Sequence, residues 1–216
     1  MIISVSHQKG GVGKSTLAFN LAVELSKHFD KIDVIDLDVQ ETVSSYNRIR
    51  KMIGQKPLSV HSFEDDKKMI DFINYQDDDK LIIIDSGGYD SALNRVSIAI
   101  ADFIITPVSS EFTEILGLEK YKNILSTVSQ QTKKHITTHV VLNKISPQQK
   151  YFDDIINFIE SSDHFNLLHN KLRRRVDFSN SVAHGFSVVE LDQHSESSKE
   201  LQSLIQEIQK KAGLND

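Results

Sequence analysis

The sequence predicts an α/β protein in which helices cover both faces of a single doubly wound, mostly parallel β-sheet. Short runs rich in β-branched residues alternate with longer helical patterns, which is the order expected of βα units. Several of the short runs are apolar throughout, as in Leu81 to Ile84, and this favours strands that are buried on both faces. The chain has 216 residues, and we expect residues 1–216 to form one domain.

The predicted strands are Ile2 to Ser6, Ile32 to Asp36, Leu81 to Asp85, Phe103 to Val108 and His139 to Asn143. The predicted helices are Lys14 to His28, Thr42 to Lys51, Lys67 to Asn74, Leu93 to Ala101, Thr113 to Ser129, Gln148 to Ser161 and Ser197 to Lys211. In the first helix Leu17, Leu21 and Leu25 recur every four residues, so one stripe should lie on the sheet. The last helix has an apolar face but no basic polar face, which favours core packing over a membrane surface.

Composition excludes several classes of function. The chain has no Cys, so thiolate metal sites, iron-sulfur clusters, disulfides and cysteine nucleophiles are not available. The N-terminal segment lacks the pattern of a signal peptide, and no apolar run approaches the roughly 20 residues that cross a bilayer. We therefore expect a cytoplasmic protein with no membrane anchor.

The formal net charge is -5, so binding of nucleic acid would need a local basic patch. The best candidate is Arg173, Arg174 and Arg175, which follow Lys171 in a segment with few other charges. A solvated basic segment without a ligand is the alternative interpretation.

The strongest motif is the segment Lys9 to Thr16, KGGVGKST, between the first strand and the first helix. Its glycines allow successive backbone N–H groups to point at phosphate oxygens, and the helix adds the positive end of its dipole. We expect Lys14 to reach the β- and γ-phosphates and Ser15 to ligate Mg²⁺. The remaining expected phosphate contacts are Gly10, Gly11, Val12, Gly13 and Thr16. The sequence therefore predicts a nucleotide site.

Carboxylates at strand ends support this prediction. Asp36 and Asp38 end one buried strand, and Asp85 ends the apolar run Leu81 to Ile84 as the Asp of a Walker B strand. Because the carboxyl ends of parallel strands meet at one edge of a sheet, these side chains should lie near the phosphate loop. Asp85 would hold Mg²⁺ directly or through water. A helix cap or turn is the ordinary explanation for each carboxylate alone, but their shared position favours Mg-ATP chemistry.

These motifs resemble the deviant Walker A group of P-loop NTPases, the ParA/MinD superfamily, and in particular small ParA-type partitioning ATPases. The resemblance depends on Lys9 before the glycine pair, on Asp36 and Asp38, and on Asn143. It implies that Lys9 reaches the nucleotide of a partner subunit in an ATP-dependent homodimer. It also implies that Asp38 orients the attacking water, that Asp36 supports the Mg²⁺ shell, and that Asn143 contacts adenine.

The resemblance further implies a weak ATPase that partitions plasmid or chromosome DNA. Such a protein would associate with the nucleoid, bind DNA nonspecifically in its ATP state, and be stimulated by a centromere-binding partner that is ParB-like or a small ParG-like protein. This chain has Asp177 where the family has a DNA-contacting Arg, so the arginines at 173–175 would replace that contact, or DNA binding is weak or located elsewhere.

Two alternatives stay open. The first is a MinD-like or other cargo-positioning ATPase that acts on a membrane or a protein cargo. The second is a nucleotide-regulated interaction protein in which hydrolysis is incidental. Electron delivery, as in the nitrogenase iron protein, is excluded because the chain has no Cys.

Overall fold

The computed structural model describes residues 1–76, 79–109, 112–149 and 152–214. The strands are β1 (Ile2–Val5), β2 (Ile32–Asp36), β3 (Ser59–Ser62), β4 (Leu81–Asp85), β5 (Phe103–Val108), β6 (Thr138–Leu142) and β7 (Phe165–Leu167). The helices are α1 (Lys14–Leu25), α2 (Thr42–Met52), α3 (Asp66–Asn74), α4 (Ala92–Ile100), α5 (Phe112–Thr132), α6 (Asp153–Glu160), α7 (Val176–Ala183), α8 (Val188–Leu191) and α9 (Glu196–Ala212).

The seven strands form one sheet in the order β3-β2-β4-β1-β5-β6-β7, and every pair of neighbours is parallel. Alternate side chains of each strand enter different cores. Ile83 packs with Leu21 and Leu204 on one face, whereas Ile82 and Ile84 pack with Met69 on the other. The predicted doubly wound α/β fold is therefore confirmed.

The two faces are covered by different helices. The core under α1 and α9 contains the predicted stripe of Leu17, Leu21 and Leu25, and the apolar face of α9 lies in the same core. A second core joins β5 and β6 to α5 and α6. The expectation that the last helix packs in the core is confirmed. No helix in the described part of the chain is both long and apolar enough to cross a membrane.

Several elements differ from the sequence-based expectations. Strands β3 and β7 and helices α7 and α8 were not predicted. Helix α1 ends at Leu25 and not at His28, because the following N–H groups of Lys27 and His28 bond three residues back, to Glu24 and Leu25, in a tighter turn. The helix predicted over residues 148–161 begins at Asp153, and Lys150 and Tyr151 within it lie outside the described residues.

The strand order places the predicted motifs together. Strand β1 lies between β4 and β5, so successive crossovers leave it on opposite sides, and its carboxyl end is the switch point where α/β sheets bind ligands. Asp36 and Asp85 are register partners on β2 and β4. On the other side of β1, the backbone N–H of Asn143 donates to the Val108 carbonyl at 2.7 Å.

Candidate nucleotide-binding site

A cavity of about 790 Å³ lies beside the loop that joins β1 to α1. This volume lies within the range of small-molecule and cofactor sites. The loop and the start of α1 contribute Lys9, Gly10, Gly11, Val12, Gly13, Thr16, Leu17 and Asn20 to its lining. Other segments contribute Asn143, Lys144, Glu114, Leu172 to Val176, Phe178, Ser179 and Leu201. The loop predicted to hold phosphates therefore opens onto a space of the right size for a nucleotide.

Glycine is required at two points of this site. Gly13 precedes α1 with φ 97° and ψ 21°, and a Cβ there would lie 2.5 Å from the amide nitrogen of Asn143. Gly88 approaches the loop from the turn after β4, where a Cβ would lie 3.1 Å from the Cα of Gly10. Both contacts are too close for a side chain without movement, so these glycines let three backbone segments meet at the loop.

Lys14 is buried at the start of α1, and its Nζ donates to the backbone carbonyl of Lys9 at 3.0 Å. Burial lowers the pKa of this amine, while the nearby carboxylates of Asp85 and Asp38 oppose that shift. A cation that is removed from water beside a backbone cradle is well placed to bind an anion. The phosphate-binding role of Lys14 stays a prediction.

Asp85 is fully buried, and neither of its carboxylate oxygens has a hydrogen-bond partner among the described residues. Burial raises the pKa of Asp85 to about 8, and Asp36 adds to this shift, whereas Ser15 and Lys14 oppose it. Buried carboxylates normally have partners, so two orphaned oxygens beside the Ser15 hydroxyl fit a divalent cation. Mg²⁺ uses such oxygen ligands together with phosphate and water.

Asp36 has a different environment from Asp85. Its Oδ2 accepts from the backbone N–H of Ser44 at 2.9 Å and from the Ser44 hydroxyl at 2.8 Å. Its Oδ1 accepts from the backbone N–H of Asp38 at 3.2 Å. Burial raises its pKa, and the Ser44 hydrogen bonds oppose this. Asp36 therefore ties the end of β2 to the first turn of α2, and the remaining lone pairs are those open to a metal shell.

Asp38 is partly buried, and its Oδ1 accepts from the backbone N–H of Gln40 at 3.0 Å. It is near enough to Lys14 and Asp85 to affect their pKa values. Neither Asp38 nor Asp36 nor Asp85 lines the described cavity. The structure thus brings Asp38 into the acidic group with Asp36 and Asp85.

Asn143 and Lys144 contact the phosphate loop from the end of β6. The amide nitrogen of Asn143 donates to the Val12 carbonyl at 2.8 Å, and its oxygen accepts from the backbone N–H of Lys144. Lys144 Nζ donates to the Gly11 carbonyl at 2.7 Å. Asn143 lines the cavity, where adenine is expected, and it also holds the loop.

The arginine segment lies on the cavity wall. Arg175 forms an ion pair with Glu200 of α9 at 2.7 Å, and Glu200 also accepts from the backbone N–H of Arg173. The Arg173 guanidinium donates to the carbonyls of Ser146 and Pro147, while Arg174 is exposed. The side chains of Arg173 and Arg175 thus form contacts within the chain, whereas Arg174 is exposed.

Asp177, which stands where the family resemblance places a DNA-contacting Arg, accepts a hydrogen bond from the Ser197 hydroxyl at 2.5 Å. Ser197 is buried in the first turn of α9. The carboxylate therefore joins α7 to the start of α9. A negative charge is stabilised at this position, because the N-terminus of a helix carries a partial positive charge. This gives Asp177 a structural contact within the chain.

Three further residues belong to the site and were not predicted from the sequence. Glu114 of α5 forms an ion pair with Lys9 at 2.5 Å. Asn94 of α4 accepts from the Gly87 N–H and donates to the carbonyls of Gly87 and Tyr89, which fixes the turn after β4. His7 accepts from the Lys9 N–H at 2.9 Å. All three act through contacts between segments distant in sequence or through a loop conformation, which local patterns do not reveal.

A different cluster, His135, Asp163 and His164, has candidate metal ligand atoms within 4.8 Å of one another. Its two imidazole rings are stacked, with centroids 5.0 Å apart and planes 25° from parallel. The lone pairs of an imidazole lie in the plane of its ring, so stacked rings direct them side by side and not toward a common point. His135 Nε2 and His164 Nδ1 also contact backbone carbonyls. These contacts explain the cluster without an ion.

Comparisons with known proteins relate the chain to a family of nucleotide-binding domains. The family described as the CobQ/CobB/MinD/ParA nucleotide binding domain matches residues 3–188. The virulence plasmid ParA family protein of Chlamydia psittaci is 24% identical over 94% of this chain and 92% of its own length. The septum site-determining protein MinD of Helicobacter pylori is 25% identical over 68% of each chain.

Among solved structures, a Borrelia burgdorferi protein described as a plasmid partition protein, with bound AMPPNP, superposes with a TM-score of 0.69. The two sequences are 17% identical, and the match covers 97% of this chain and 98% of that one. At this identity the superposition shows a shared fold.

Proposed function

Because the chain belongs to the CobQ/CobB/MinD/ParA nucleotide-binding family, we propose that it is an ATPase that pairs as an ATP-bound homodimer and partitions plasmid or chromosome DNA. The observation that carries the ATPase part is the phosphate loop with buried Lys14 next to Asp85, whose two oxygens have no partner among the described residues. A loop, a cation and an unsatisfied carboxylate in this arrangement fit Mg-ATP and leave the site incomplete without it.

The proposed reaction relies on positioning and charge. Backbone N–H groups of Gly10 to Thr16 would hold the phosphates, Lys14 would bind the terminal phosphates, and Ser15 and Asp85 would hold the ion. Mg²⁺, when bound, would neutralise charge that develops on the phosphates. Asp38 would orient a water for in-line attack. With no strong base in this set, turnover should be slow, which suits a switch.

Lys9 is the proposed link between subunits. Its side chain is about one-third exposed, and Lys9 lines the cavity. A lysine at the rim of one site can reach the phosphates of a second chain when two sites face each other, so ATP would be part of the interface. Hydrolysis would then weaken the pair, and the turn from Ser86 to Asp90 would relax as the terminal phosphate leaves.

We propose that the ATP-bound dimer binds DNA. Arg174 is the most exposed of the three arginines and is therefore the one best able to contact a DNA phosphate. The similarity to the plasmid ParA family protein supports this cargo. A centromere-binding protein, ParB-like or ParG-like, would stimulate hydrolysis and release the DNA. The MinD similarity favours one alternative, an ATPase of this fold that positions a membrane-bound or protein cargo.

Binding to nonspecific duplex DNA tests the proposed cargo. The protein is titrated onto labelled duplex with Mg-ATP, with Mg-ADP and without nucleotide, over a salt series. We expect binding with ATP alone, weakened by salt and by joint Arg173, Arg174 and Arg175 to Ala substitutions. The matched control substitutes Lys133 and Lys134, which follow the C-terminal end of α5, whereas Glu114 of the site lies in its first turn. Binding of ATP without binding of DNA would contradict the DNA cargo and favour the alternative.

A further inference from the structure

The ion pair between Lys9 and Glu114 joins the phosphate loop to α5. Lys9 Nζ lies 2.5 Å from Glu114 Oε1 and 3.2 Å from the hydroxyl of Thr113. The two charges are unequally exposed, because 35% of the Lys9 side chain is accessible to solvent but only 3% of the Glu114 side chain. Glu114 is thus a buried carboxylate at the first turn of a helix, with its cation at the surface.

Glu114 depends on Lys9 for its charge compensation. Its second oxygen, Oε2, is buried and has no hydrogen-bond partner among the described residues. Removing the partner of a buried charge is costly, since the remaining charge is neither hydrated nor paired. The positive end of α5 offsets part of this cost. Departure of Lys9 from Glu114 is therefore possible but unfavourable.

The position of Glu114 relative to the loop is fixed by neighbouring contacts. Gln8 donates from its side-chain amide to the Gly117 carbonyl at 3.2 Å. The His7 ring stacks on Tyr121 with centroids 5.4 Å apart and planes 9° from parallel. A Cβ at Gly117 would lie 3.3 Å from His7 Cε1, so the helix and the loop are in close contact. The ion pair is part of this packed junction.

The pair also borders the nucleotide. Lys9 and Glu114 both line the cavity next to the phosphate loop. A polyphosphate in the loop would bring a second set of anions close to Lys9, in competition with Glu114. If Lys9 also serves a second chain, as in the proposed function, it must leave Glu114 to do so.

From these relationships we infer that Glu114 is a positioning residue that retains Lys9 within its own chain until ATP is bound, and so sets the threshold for pairing of two chains. This inference rests on the proposed function of Lys9 at the dimer interface. The role assigned to Glu114 needs no contact with phosphate, because Glu114 acts only through Lys9. The Glu114 carboxylate thus opposes dimerisation of chains that have not bound ATP.

Glu114→Gln tests the inference, because Gln keeps the shape and hydrogen-bonding capacity of the side chain but removes its charge. The self-association of the purified chain is measured by sedimentation with Mg-ATP, with Mg-ADP and without nucleotide. The measured quantity is the midpoint, the protein concentration at which half of the chains are paired in Mg-ATP. We expect the midpoint of Glu114→Gln to be about one-fifth of the wild-type value, the change expected for loss of a partly buried ion pair. Glu119→Gln, at an exposed position of the same helix, should leave the midpoint unchanged.

A second measurement does not depend on dimerisation. Thermal unfolding without nucleotide of the wild type, Lys9→Ala, Glu114→Gln and the double variant forms a double-mutant cycle. A favourable coupling between the two positions supports the pair. Absence of coupling, or a Glu114→Gln midpoint equal to or higher than that of the wild type, overturns the inference.

The outcomes separate this inference from the proposed function. If the wild type pairs with ATP and Glu114→Gln pairs no more readily, only the inference fails. If ATP binds but neither the wild type nor Glu114→Gln ever pairs, the proposed dimer fails and the inference fails with it. Pairing by Glu114→Gln alone would support the inference strongly.

Discussion

Asp36 and Asp85 are register partners on adjacent parallel strands, yet only Asp36 has hydrogen-bond partners for its carboxylate among the described residues. Ser44 of α2 donates two hydrogen bonds to the Asp36 carboxylate. Asp85, in contrast, is fully buried beside Ser15 and Lys14. The two carboxylates at this sheet edge therefore differ in their contacts. Asp36 joins β2 to α2 through Ser44, whereas both carboxylate oxygens of Asp85 lack a hydrogen-bond partner among the described residues.

Asp85→Asn should remove most of the Mg²⁺ dependence of ATP binding. We expect at least about tenfold weaker binding with Mg²⁺, the scale of one lost charged contact, and little change in EDTA. Titration of a fluorescent ATP analogue with and without Mg²⁺ measures this. Asp36→Asn is the comparison variant, and it should mainly lower the thermal stability. An unchanged Mg²⁺ effect in Asp85→Asn would show that another residue holds the ion.

Asp38→Ala should bind ATP and pair normally but lose turnover, because its proposed task is to orient water and not to hold phosphate. A loss of about 100-fold in hydrolysis rate is expected for removal of such a positioning group. Phosphate release under single-turnover conditions measures it. Lys14→Ala is the contrasting variant, which should lose binding itself. Normal hydrolysis by Asp38→Ala would assign the water to a different residue.

His7 should make the stability of the nucleotide-free chain depend on pH. Burial lowers its pKa from 6.5 to about 3, and Lys14 and Lys9 add to the shift. The unfolded chain therefore binds a proton below about pH 6.5 that the folded chain does not, so stability falls as the pH decreases from 6.5 toward 3. This group should contribute a loss of about 2 kcal/mol between pH 7 and pH 5.

Urea unfolding of the wild type and His7→Asn at pH 7 and pH 5 measures that contribution. The wild type should lose more stability than the variant between these two conditions, by about the stated 2 kcal/mol. The comparison at each pH cancels the titration of all other groups that the substitution leaves in place. Equal losses in both proteins would mean that His7 is charged in the folded chain.

Arg174 and Arg175 should behave differently when each is changed to Ala. Arg175→Ala removes the ion pair with Glu200 and should cost about 1 kcal/mol of stability, the scale of a partly exposed pair. Arg174→Ala should leave stability unchanged but weaken ATP-state DNA binding and lower the salt slope by about 1, as expected for one phosphate contact.

Nucleotide affinity is measured in parallel, because Arg174 also lines the cavity. If Arg174→Ala weakens nucleotide binding and leaves DNA binding intact once nucleotide is saturating, the residue serves the nucleotide and not DNA.

The central elements of the fold could be predicted from the sequence because their signals are local. The apolar run of β4 indicates a strand buried on both faces, and the four-residue repeat of leucines in α1 indicates a helix with one buried face. Strand β3, with sequence SVHS, lies at the sheet edge and is half exposed, and β7 has three residues, so neither carries an apolar run. Their pairing depends on neighbours that the local sequence does not specify.

The same distinction applies to the site. Lys14 and Ser15 lie in one contiguous motif, and Asp85 follows an obvious strand, so these residues could be named without a structure. Glu114 meets Lys9 across 105 positions, and nothing in the surrounding sequence of α5 marks it. The position of Arg173 to Arg175 on the cavity wall likewise follows from the contacts of Glu200 on α9, which a basic run alone does not indicate.

The most direct test of the account is the self-association of the purified chain in different nucleotide states. Sedimentation velocity is measured for the wild type, Lys9→Ala and the exposed-lysine control Lys120→Ala, each with Mg-ATP under conditions of slow hydrolysis, with Mg-ADP and without nucleotide. We expect a dimer with ATP alone in the wild type and in Lys120→Ala, and a monomer in Lys9→Ala even though ATP still binds. A dimer that forms equally with ADP, or a Lys9→Ala chain that pairs as the wild type does, would contradict it.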